Sequence, residues 1–245
     1  MAATELLYLQ DFDVTTCSAR VVDVHTHEDG RTVVVLDQTC FYPRGGGQDW
    51  DTGSITQGSQ TFDVEEVRLN DQGAVLHIGN PAVDWSAGAE VTCTVNGVRR
   101  TINTRLHSAG HLLDMAMAEV KPHWVPAKGA HYPTMSFVEY EVGDDSAGED
   151  LVKELQAGVD NLTSLTMPNR LMFVPVEEMH NYCRHVPENI PTNKPGRIVI
   201  YGEDFGVPCG GTHVRALNEI GKMTIVKIKV KKGLAKVSYA LDGIN

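Results

Sequence analysis

The chain has 245 residues, 42% of them hydrophobic and 22% charged, which is the composition of a globular protein long enough to bury a core. No apolar run approaches the roughly 18 residues that a membrane span needs, and the acidic start "MAATELLYLQDFD" is unlike a secretory signal. The five cysteines are odd in number and widely spaced, which is atypical of a disulfide framework. We therefore predict a cytoplasmic protein with no membrane partner.

Charge is unevenly distributed along the chain. The whole net charge of −11 falls within residues 1–98, whereas positive and negative side chains balance over residues 99–245. The acidity argues against general affinity for nucleic acid, but it leaves room for a local basic surface in the second part. The asymmetry suggests two domains, residues 1–98 and residues 99–245.

The first part is predicted to be rich in β-strands. Short Val-rich or alternating runs follow one another between turn residues: "ARVVDV", "RTVVVLD", "TFDVEEVRL", "GAVLHIG" and "AEVTCTVN". The last of them precedes Asn96-Gly97, a dipeptide typical of tight turns. This pattern predicts a small β-barrel-like domain.

A glycine-rich loop, "YPRGGGQDWDTG", interrupts these strands at residues 42–53. Three consecutive glycines are too costly in conformational entropy for a regular element. The loop is therefore either a plain surface connection or a segment whose backbone approaches a ligand, and the residues alone leave both open.

The second part mixes helices and strands. An apolar stripe containing Leu106, Leu113 and Met117 predicts a helix from Thr104 to about Val120, and residues 149–165 predict a second one. Strands are predicted at "TMSFVEYEV", "RLMFVPV" and "GRIVIYG", followed by a C-terminal hairpin. The order predicts an α+β domain with a mostly antiparallel sheet.

Two pairs of potential metal ligands stand about a hundred residues apart. His107 and His111, in "HSAGH", are four apart and so leave one helix face; Cys209 and His213, in "CGGTH", flank two glycines. Either pair alone is weak, but a thiolate with imidazoles suits Zn²⁺, and together the pairs predict one zinc ion per chain. Another cluster, in "MHNYCRH" at residues 179–185, is interpreted as a polar loop.

The role of the metal stays open at this point. Four protein ligands are typical of a structural zinc site, whereas a catalytic zinc usually keeps one position for water. The residue types alone do not choose between these roles.

The combination of motifs resembles a known family. "HSAGH" and "CGGTH" at this separation, with "YPRGGGQDWDTG" upstream and "AKGAHY" between them, are similar to the alanyl-tRNA editing proteins (AlaX) of medium or longer type. They also resemble the editing domain of alanyl-tRNA synthetase. The resemblance covers nearly the whole chain.

The resemblance implies a function and a set of site residues. Such proteins hydrolyse, in trans and without a nucleotide cofactor, the ester of tRNA(Ala) wrongly charged with serine, and often glycine. They bind zinc through the four residues named above. We therefore expect an editing domain at 99–245. The substrate-binding residues of the protein are expected to be Arg44, Gly45, Gly46, Gly47, Gln48, Lys128 and Gly129.

Two positions depart from the family's pattern. Ala127 replaces the glutamine common before the Lys-Gly pair in synthetase editing domains, so a serine hydroxyl would need another partner. Thr212, Ser108 and His131 are the candidates for this and for a catalytic role, besides a water. Gly110 replaces a more usual threonine or alanine.

Basic residues are the candidates for contacting the tRNA acceptor end. They are Arg99, Arg100 and Arg105 before the first motif, and Lys227, Lys229 and Lys231, which alternate along the last hairpin. A merely solubilising strand face is an equally good interpretation of the lysines.

Two other functions compete with trans-editing. The chain would be a related deacylase acting on another aminoacyl-tRNA, since threonyl-tRNA synthetases share this style of motif. Alternatively, zinc would only stabilise a tRNA-binding module without catalysis. Deacylation assays separate these hypotheses.

Overall fold

The computed structural model describes residues 3–188, 190, 192 and 194–244. The chain divides into two compact units: residues 1–45 with 49–102, and residues 46–48 with 103–245. The middle of the glycine-rich loop thus belongs with the second unit. Across the described residues, no helix is both long and apolar enough to cross a membrane.

The first unit contains a closed barrel of six antiparallel strands, as the alternating runs predicted. The strands are β2 (Thr16–Thr26), β3 (Thr32–Leu36), β5 (Gly53–Gln57), β6 (Gln60–Leu69), β7 (Val75–Asn80) and β8 (Glu90–Val95). Their order around the barrel is β2-β3-β7-β6-β5-β8, and β8 pairs with β2 to close it. Two short strands, β1 (Glu5–Leu6) and β4 (Gln38–Thr39), pair in parallel, and a 3-10 helix covers Leu7–Leu9.

The barrel core follows the period of two that strands impose. In β8, Val91, Cys93 and Val95 are buried while the residues between them are exposed. Ile55 and Phe62 from neighbouring strands are fully buried in the same cluster. A closed barrel leaves no edge strand unpaired, so these alternating residues are enclosed on all sides.

Helix α1 (Gly97–Val120) begins seven residues earlier than predicted. Asn96-Gly97 was expected to form a tight turn, but the Asn96 side chain accepts a hydrogen bond from the Arg99 N–H at 3.1 Å. Asn96 therefore acts as the helix N-cap, a role that asparagine fills as readily as a turn. Residues 97–102 of this helix count with the first unit and residues 103–120 with the second.

The second unit contains two antiparallel sheets and the helix α2 (Leu151–Ser164), close to the predicted 149–165. The larger sheet has the order β14-β15-β10-β9, and the smaller one the order β11-β12-β13. Their strands are β9 (Val125–Tyr132), β10 (Met135–Glu141), β11 (Asn169–Val174), β12 (Gly196–Tyr201), β13 (Phe205–Pro208), β14 (Met223–Lys231) and β15 (Leu234–Leu241). Two 3-10 helices cover Val176–Asn181 and Leu217–Ile220.

Helix α2 covers the edge of the larger sheet. Its apolar face buries Leu151, Leu155 and Val159. From the same helix, the Gln156 side chain accepts from the Ile225 N–H at 2.8 Å and donates to the Met223 carbonyl at 2.9 Å. The amide group thus satisfies part of the backbone of edge strand β14, which would otherwise be open to pairing with another strand.

A bulge in β14 modifies the predicted alternation of its lysines. The register shifts between Ile225 and Lys227, so Val226 is the extra residue and is 54% exposed. Beyond the bulge Lys227, Lys229 and Lys231 are exposed and pair with Ser238, Lys236 and Leu234. The three lysines therefore share one sheet face, although Val226 does not alternate with them.

Candidate metal centre

Four donor side chains converge in the second unit. The ligand atoms of His107, His111, Cys209 and His213 all lie within 4.8 Å of one another. The three histidines are buried, and the Cys209 Sγ lies 3.4 Å from His107 Nε2 and 3.2 Å from His213 Nε2. The two motifs that the sequence singled out are thus brought together as one cluster.

The local backbone explains how the motifs meet. His107 and His111 lie one turn apart in α1, whereas Cys209 and His213 follow the end of β13. A Cβ atom at Gly211 would lie 2.2 Å from His107 Cε1, so only glycine lets the loop approach this imidazole. Arg197 of β12 holds the same loop through its carbonyl groups, donating to Cys209 O at 2.5 Å and to Gly211 O at 3.0 Å.

The Gln48 amide orients His107. Its Oε1 accepts from the Thr212 N–H at 3.0 Å, and its Nε2 donates to Thr212 Oγ1 at 2.9 Å. Because a backbone N–H can only donate and a side-chain amide accepts only through its oxygen, the first contact shows which amide atom is Oε1. The same Oε1 lies 2.7 Å from His107 Nδ1. Because Oε1 can only accept, His107 must carry its proton on Nδ1, and Nε2 presents its lone pair toward Cys209.

Hydroxyl groups orient His213 in the same way. Its Nδ1 lies 2.9 Å from the Tyr201 hydroxyl and 3.3 Å from Ser108 Oγ, which also accepts from the Val214 N–H at 3.0 Å. With Nδ1 occupied, Nε2 is the nitrogen that faces Cys209. Partners of this kind fix the ring orientation of metal-ligating histidines.

Burial sets the ionisation of the four donors. It lowers the pKa of His111 to about 3 and the pKa values of His107 and His213 well below the usual range, so the imidazoles are neutral at neutral pH. Burial also raises the pKa of the Cys209 thiol. Neutral imidazoles are ready to ligate, whereas the thiol must release its proton when a metal binds.

The donor set fits a bound metal ion. His111 Nδ1 is buried and has no hydrogen-bond partner among the described residues, which is unfavourable unless another group satisfies it. The four donor atoms of the cluster are close enough together to bind a single ion. Three imidazoles and one thiolate are ligands that borderline-soft divalent cations prefer.

His131 lies beside this cluster. Its ring stacks on that of His107, with centroids 5.0 Å apart and planes 14° from parallel. In β9 its backbone N–H donates to the Gly47 carbonyl at 2.9 Å. Gly46–Gln48, predicted to approach a ligand, are therefore next to the metal cluster within the same unit.

The other predicted substrate-binding residues have different surroundings. Arg44 and Gly45 belong to the first unit, where the Arg44 guanidinium lies 5.7 Å from the Trp50 ring centroid. Lys128 and Ala127 are exposed in β9, and Ala127 is the extra residue of a bulge opposite Glu139 and Tyr140. Gly129 lies against the His131 ring, since a Cβ there would be 2.5 Å from its Nε2.

The three arginines proposed to contact tRNA all make bonds within their own unit. Arg100 is only 4% exposed and forms a buried ion pair with Asp51, besides donating to the Cys40 carbonyl at 2.6 Å. Arg99 pairs with Asp49 at 2.7 Å, and Arg105 donates twice to the Ile220 carbonyl. Because the Arg100 guanidinium is buried against the Asp51 carboxylate, it is not accessible to a tRNA phosphate.

Several residues near the cluster were missed in the sequence. Tyr201, Arg197 and Tyr239 lie in strands whose apolar runs suggested only core packing. Of these three residues, only Arg197 could have been noticed in the sequence, because a charged residue is unusual within an apolar strand such as "GRIVIY". Asp114, one turn after His111, was likewise overlooked; it accepts from the Tyr140 hydroxyl at 2.7 Å, and burial raises its pKa to about 7.

Comparisons with known proteins agree with these features. The family described as "tRNA synthetases class II (A)" matches residues 10–99. The alanine-tRNA ligase of Halorubrum lacusprofundi is 32% identical over 98% of this chain, and that of Archaeoglobus fulgidus 28% over 97%. The chain spans about a quarter, 26%, of the length of each ligase.

Another relative matches nearly the whole chain and nearly its own whole length. The alanyl-tRNA editing protein AlaX-M of Saccharolobus solfataricus is 29% identical over 97% of this chain and 99% of its own length. The chain therefore belongs to the AlaX family of alanyl-tRNA editing proteins, which is related to the editing region of the alanine-tRNA ligases.

Proposed function

We propose that this protein is a trans-acting hydrolase that removes serine from wrongly charged tRNA(Ala) and spares Ala-tRNA(Ala); removal of glycine from the same tRNA is a separate assay. The reaction takes place at one Zn²⁺ per chain, held by His107, His111, Cys209 and His213, and needs no nucleotide. The tRNA acceptor end carrying the wrong amino acid is the partner. We propose the cytoplasm, where aminoacyl-tRNA is used, as its location.

One observation carries this proposal: the four donor atoms within 4.8 Å in a chain related along its length to an alanyl-tRNA editing protein. A second hydrolytic site is chemically useful here. The aminoacylation site that charges tRNA(Ala) with alanine rejects serine poorly, because an extra hydroxyl is hard to exclude by size alone. Hydrolysis at a site that accepts serine and rejects alanine would correct the error.

The residues of the cluster and those around it have different roles in this proposal. A bound zinc ion would polarise the ester carbonyl or activate water. Gln48, Tyr201 and Ser108 keep His107 and His213 in the orientation in which Nε2 faces the cluster. The glycines at 47, 129 and 211 lie where a Cβ atom would collide with neighbouring atoms, and we propose that Gly46–Gln48 and Gly129 also line the site for the aminoacyl group.

We propose residues 1–98 as a barrel-like accessory domain and residues 99–245 as the editing domain, to which Gly46–Gln48 of the glycine-rich loop also contribute. Within the latter, the exposed lysines of β14 are the proposed phosphate contacts. Lys227, Lys229 and Lys231 share one face, and Lys236 of β15 lies on that face opposite Lys229. The three ammonium groups along β14 suit the regular charge of a nucleic-acid backbone, whereas the Lys236 ammonium lies 3.8 Å from the Glu139 carboxylate. Of the arginines, Arg99 and Arg105 remain candidates and Arg100 does not.

The test is deacylation of three aminoacyl-tRNAs with the same zinc-assayed preparation: Ser-tRNA(Ala), Ala-tRNA(Ala) and Ser-tRNA(Thr). We expect rapid loss of serine from tRNA(Ala), while Ala-tRNA(Ala) survives. The cluster variant Cys209→Ala should bind tRNA and leave the ester intact.

Each competing function gives a different result. A zinc-loaded protein that binds tRNA(Ala) and hydrolyses no ester would be a structural module rather than an enzyme. Hydrolysis that is faster on Ser-tRNA(Thr) would assign the chain to a related deacylase. Full activity in a Cys209→Ala preparation free of zinc would contradict the proposed metal site.

A further inference from the structure

One imidazole nitrogen of His131 has no hydrogen-bond partner among the residues that the structure describes. Its Nδ1 lies 2.6 Å from the Tyr239 hydroxyl, and that hydroxyl donates its single proton to the Leu106 carbonyl at 2.8 Å. Tyr239 must therefore accept from His131, so Nδ1 carries the proton and Nε2 has a bare lone pair. Within the described residues, Nε2 has no hydrogen-bond partner, and it is not among the fully buried atoms that lack one. Some of its surface therefore stays accessible, within a residue that is 5% exposed.

The sheet register holds this histidine in place. Ser136 of β10 pairs with His131 of β9 on one side and with Tyr239 of β15 on the other. All three side chains thus lie on the same face, and the small Ser136 lets the Tyr239 hydroxyl reach across it. The ring cannot turn without breaking its bond to Tyr239, so the direction of the Nε2 lone pair is set.

Glycines make room for the imidazole on two sides. A Cβ atom at Gly110 of α1 would lie 2.3 Å from His131 Cε1, and one at Gly129 would lie 2.5 Å from Nε2. Gly110 is the position at which this chain departs from the threonine or alanine usual in its family. The absence of that side chain is what allows the ring to pack against α1 beside His107.

The other candidates for reading a serine hydroxyl already have partners. Thr212 Oγ1 is fully buried and bonds to Gln48 Nε2 at 2.9 Å and Thr104 Oγ1 at 2.7 Å. Ser108 Oγ is also fully buried and bonds to Val214 N and His213. Ala127 has no polar side-chain atom. Of these candidates, all within the described part of the chain, His131 Nε2 is the acceptor that remains beside the cluster.

We propose that His131 Nε2 accepts the hydrogen bond of the substrate's seryl hydroxyl and so distinguishes serine from alanine at this site. The inference rests on the proposed deacylase function. The His131 ring is 5.0 Å from that of His107, and a seryl hydroxyl is only a few bonds from the ester carbonyl. One aminoacyl group can therefore reach both. An alanyl group would leave Nε2 without a partner and would bind less well.

The deciding experiment compares variants of the zinc-loaded protein. His131→Phe keeps an aromatic ring between the glycines but removes both nitrogens, and His131→Gln restores an acceptor. His123→Phe is the matched control, since His123 is an exposed histidine paired with Asp145 outside this site. For each variant, kcat/KM is measured on Ser-tRNA(Ala) and Ala-tRNA(Ala). Binding of non-hydrolysable 3′-seryl-amino and 3′-alanyl-amino adenosine is measured by calorimetry.

We expect His131→Phe to lower the serine-to-alanine ratio by about tenfold in both measurements, the loss that corresponds to one good hydrogen bond. His131→Gln should recover part of the ratio, and His123→Phe should retain all of it. A His131→Phe protein with full zinc content and the wild-type ratio would overturn the inference while leaving the deacylase function intact. A wild-type protein inactive on Ser-tRNA(Ala) would overturn the proposed function and this inference with it.

Discussion

Gln48 Oε1 accepts a hydrogen bond from His107 Nδ1 at 2.7 Å, so a residue of the glycine-rich loop sets the tautomer of a proposed metal ligand 59 positions away in the chain. The same oxygen accepts from the Thr212 N–H, one residue before His213. One amide thus connects the two halves of the metal cluster. Gly47, the residue before Gln48, must be glycine for a close approach, since a Cβ atom there would lie 2.6 Å from the Gly129 carbonyl oxygen.

Replacing Gln48 is expected to weaken metal binding. Gln48→Ala removes the acceptor for His107 Nδ1–H and leaves the buried Thr212 N–H without its partner. Loss of such an orienting group typically lowers metal affinity by about 10- to 100-fold. A zinc titration against a competing chelator measures the change. Gln48→Glu keeps an acceptor and should retain more affinity than Gln48→Ala, and equal affinities in all three proteins would contradict the role assigned to the amide.

Removal of Cys209 should abolish tight zinc binding without unfolding the protein. A direct ligand matters more than its hydrogen-bond partner, so Cys209→Ala is expected to lose more than about 100-fold in zinc affinity. Cys183→Ala is a suitable control, because Cys183 is a buried cysteine of the same unit outside the cluster. Metal content by mass spectrometry should be one zinc per chain in the control and close to none in Cys209→Ala. Equal zinc in both would disprove the ligand assignment.

Lysines on the outer face of β14 should contribute to tRNA affinity in a salt-dependent way. Each lysine that contacts a phosphate adds roughly 0.7 to 0.9 to the slope of log K against log salt concentration. Lys227→Ala/Lys229→Ala is therefore expected to bind tRNA(Ala) more weakly and with a shallower slope. Lys153→Ala/Lys222→Ala removes the same charge elsewhere on the second unit. Should both double variants change the slope equally, the lysine face would be no more than a solubilising surface.

Removing only the arginine of the buried Arg100–Asp51 ion pair is expected to destabilise the protein more than removing both charges. Arg100→Met leaves the fully buried Asp51 carboxylate uncompensated, which typically lowers the free energy of unfolding by about 3–5 kcal/mol. Adding Asp51→Asn removes the charge and keeps an acceptor for the Tyr42 N–H, so the double variant should recover part of the loss. Urea unfolding of the single and double variants measures both steps. A double variant less stable than Arg100→Met would be inconsistent with an uncompensated charge.

His77 should make the first unit sensitive to acid. It is fully buried in the barrel, where Nδ1 donates to the Val34 carbonyl at 2.9 Å and Nε2 lies 2.9 Å from Thr39 Oγ1. Burial lowers the pKa of His77 from 6.5 to about 4. Between these values the unfolded chain binds the proton more readily, so stability is complete above about pH 6.5 and falls as the pH drops toward 4.

The size of this effect follows from the shift. A lowering of the pKa from 6.5 to about 4 corresponds to about 3 kcal/mol, which the wild type should lose over that range. His77→Gln cannot titrate and should show a flatter profile, although it is less stable at neutral pH. Unfolding free energies of both proteins at pH 7, 5.5 and 4 provide the comparison. Parallel profiles would show that another group governs acid sensitivity.

Local sequence patterns determined most of the elements of this protein. The period of two in "AEVTCTVN" and the apolar stripe of residues 106–120 identify strand β8 and helix α1, because side-chain burial follows backbone periodicity. The spacing of His107 with His111, and of Cys209 with His213, identifies the cluster of potential metal ligands for a similar reason. Each pair is close in the chain, so a single helix turn or a short glycine loop brings its members together.

Only the tertiary structure decided which residues support those ligands and which basic residues are enclosed. Gln48, Tyr201 and Tyr239 come from separate segments, and no local pattern relates them to the histidines they contact. The same holds for Arg100, whose partner Asp51 lies 49 positions away. Asn96-Gly97 shows that a local pattern can be ambiguous, since the dipeptide suits a tight turn and a helix start equally well. In the structure Asn96 caps helix α1. Long-range pairing sets such outcomes, because the free energy that decides them comes from contacts between segments remote in sequence.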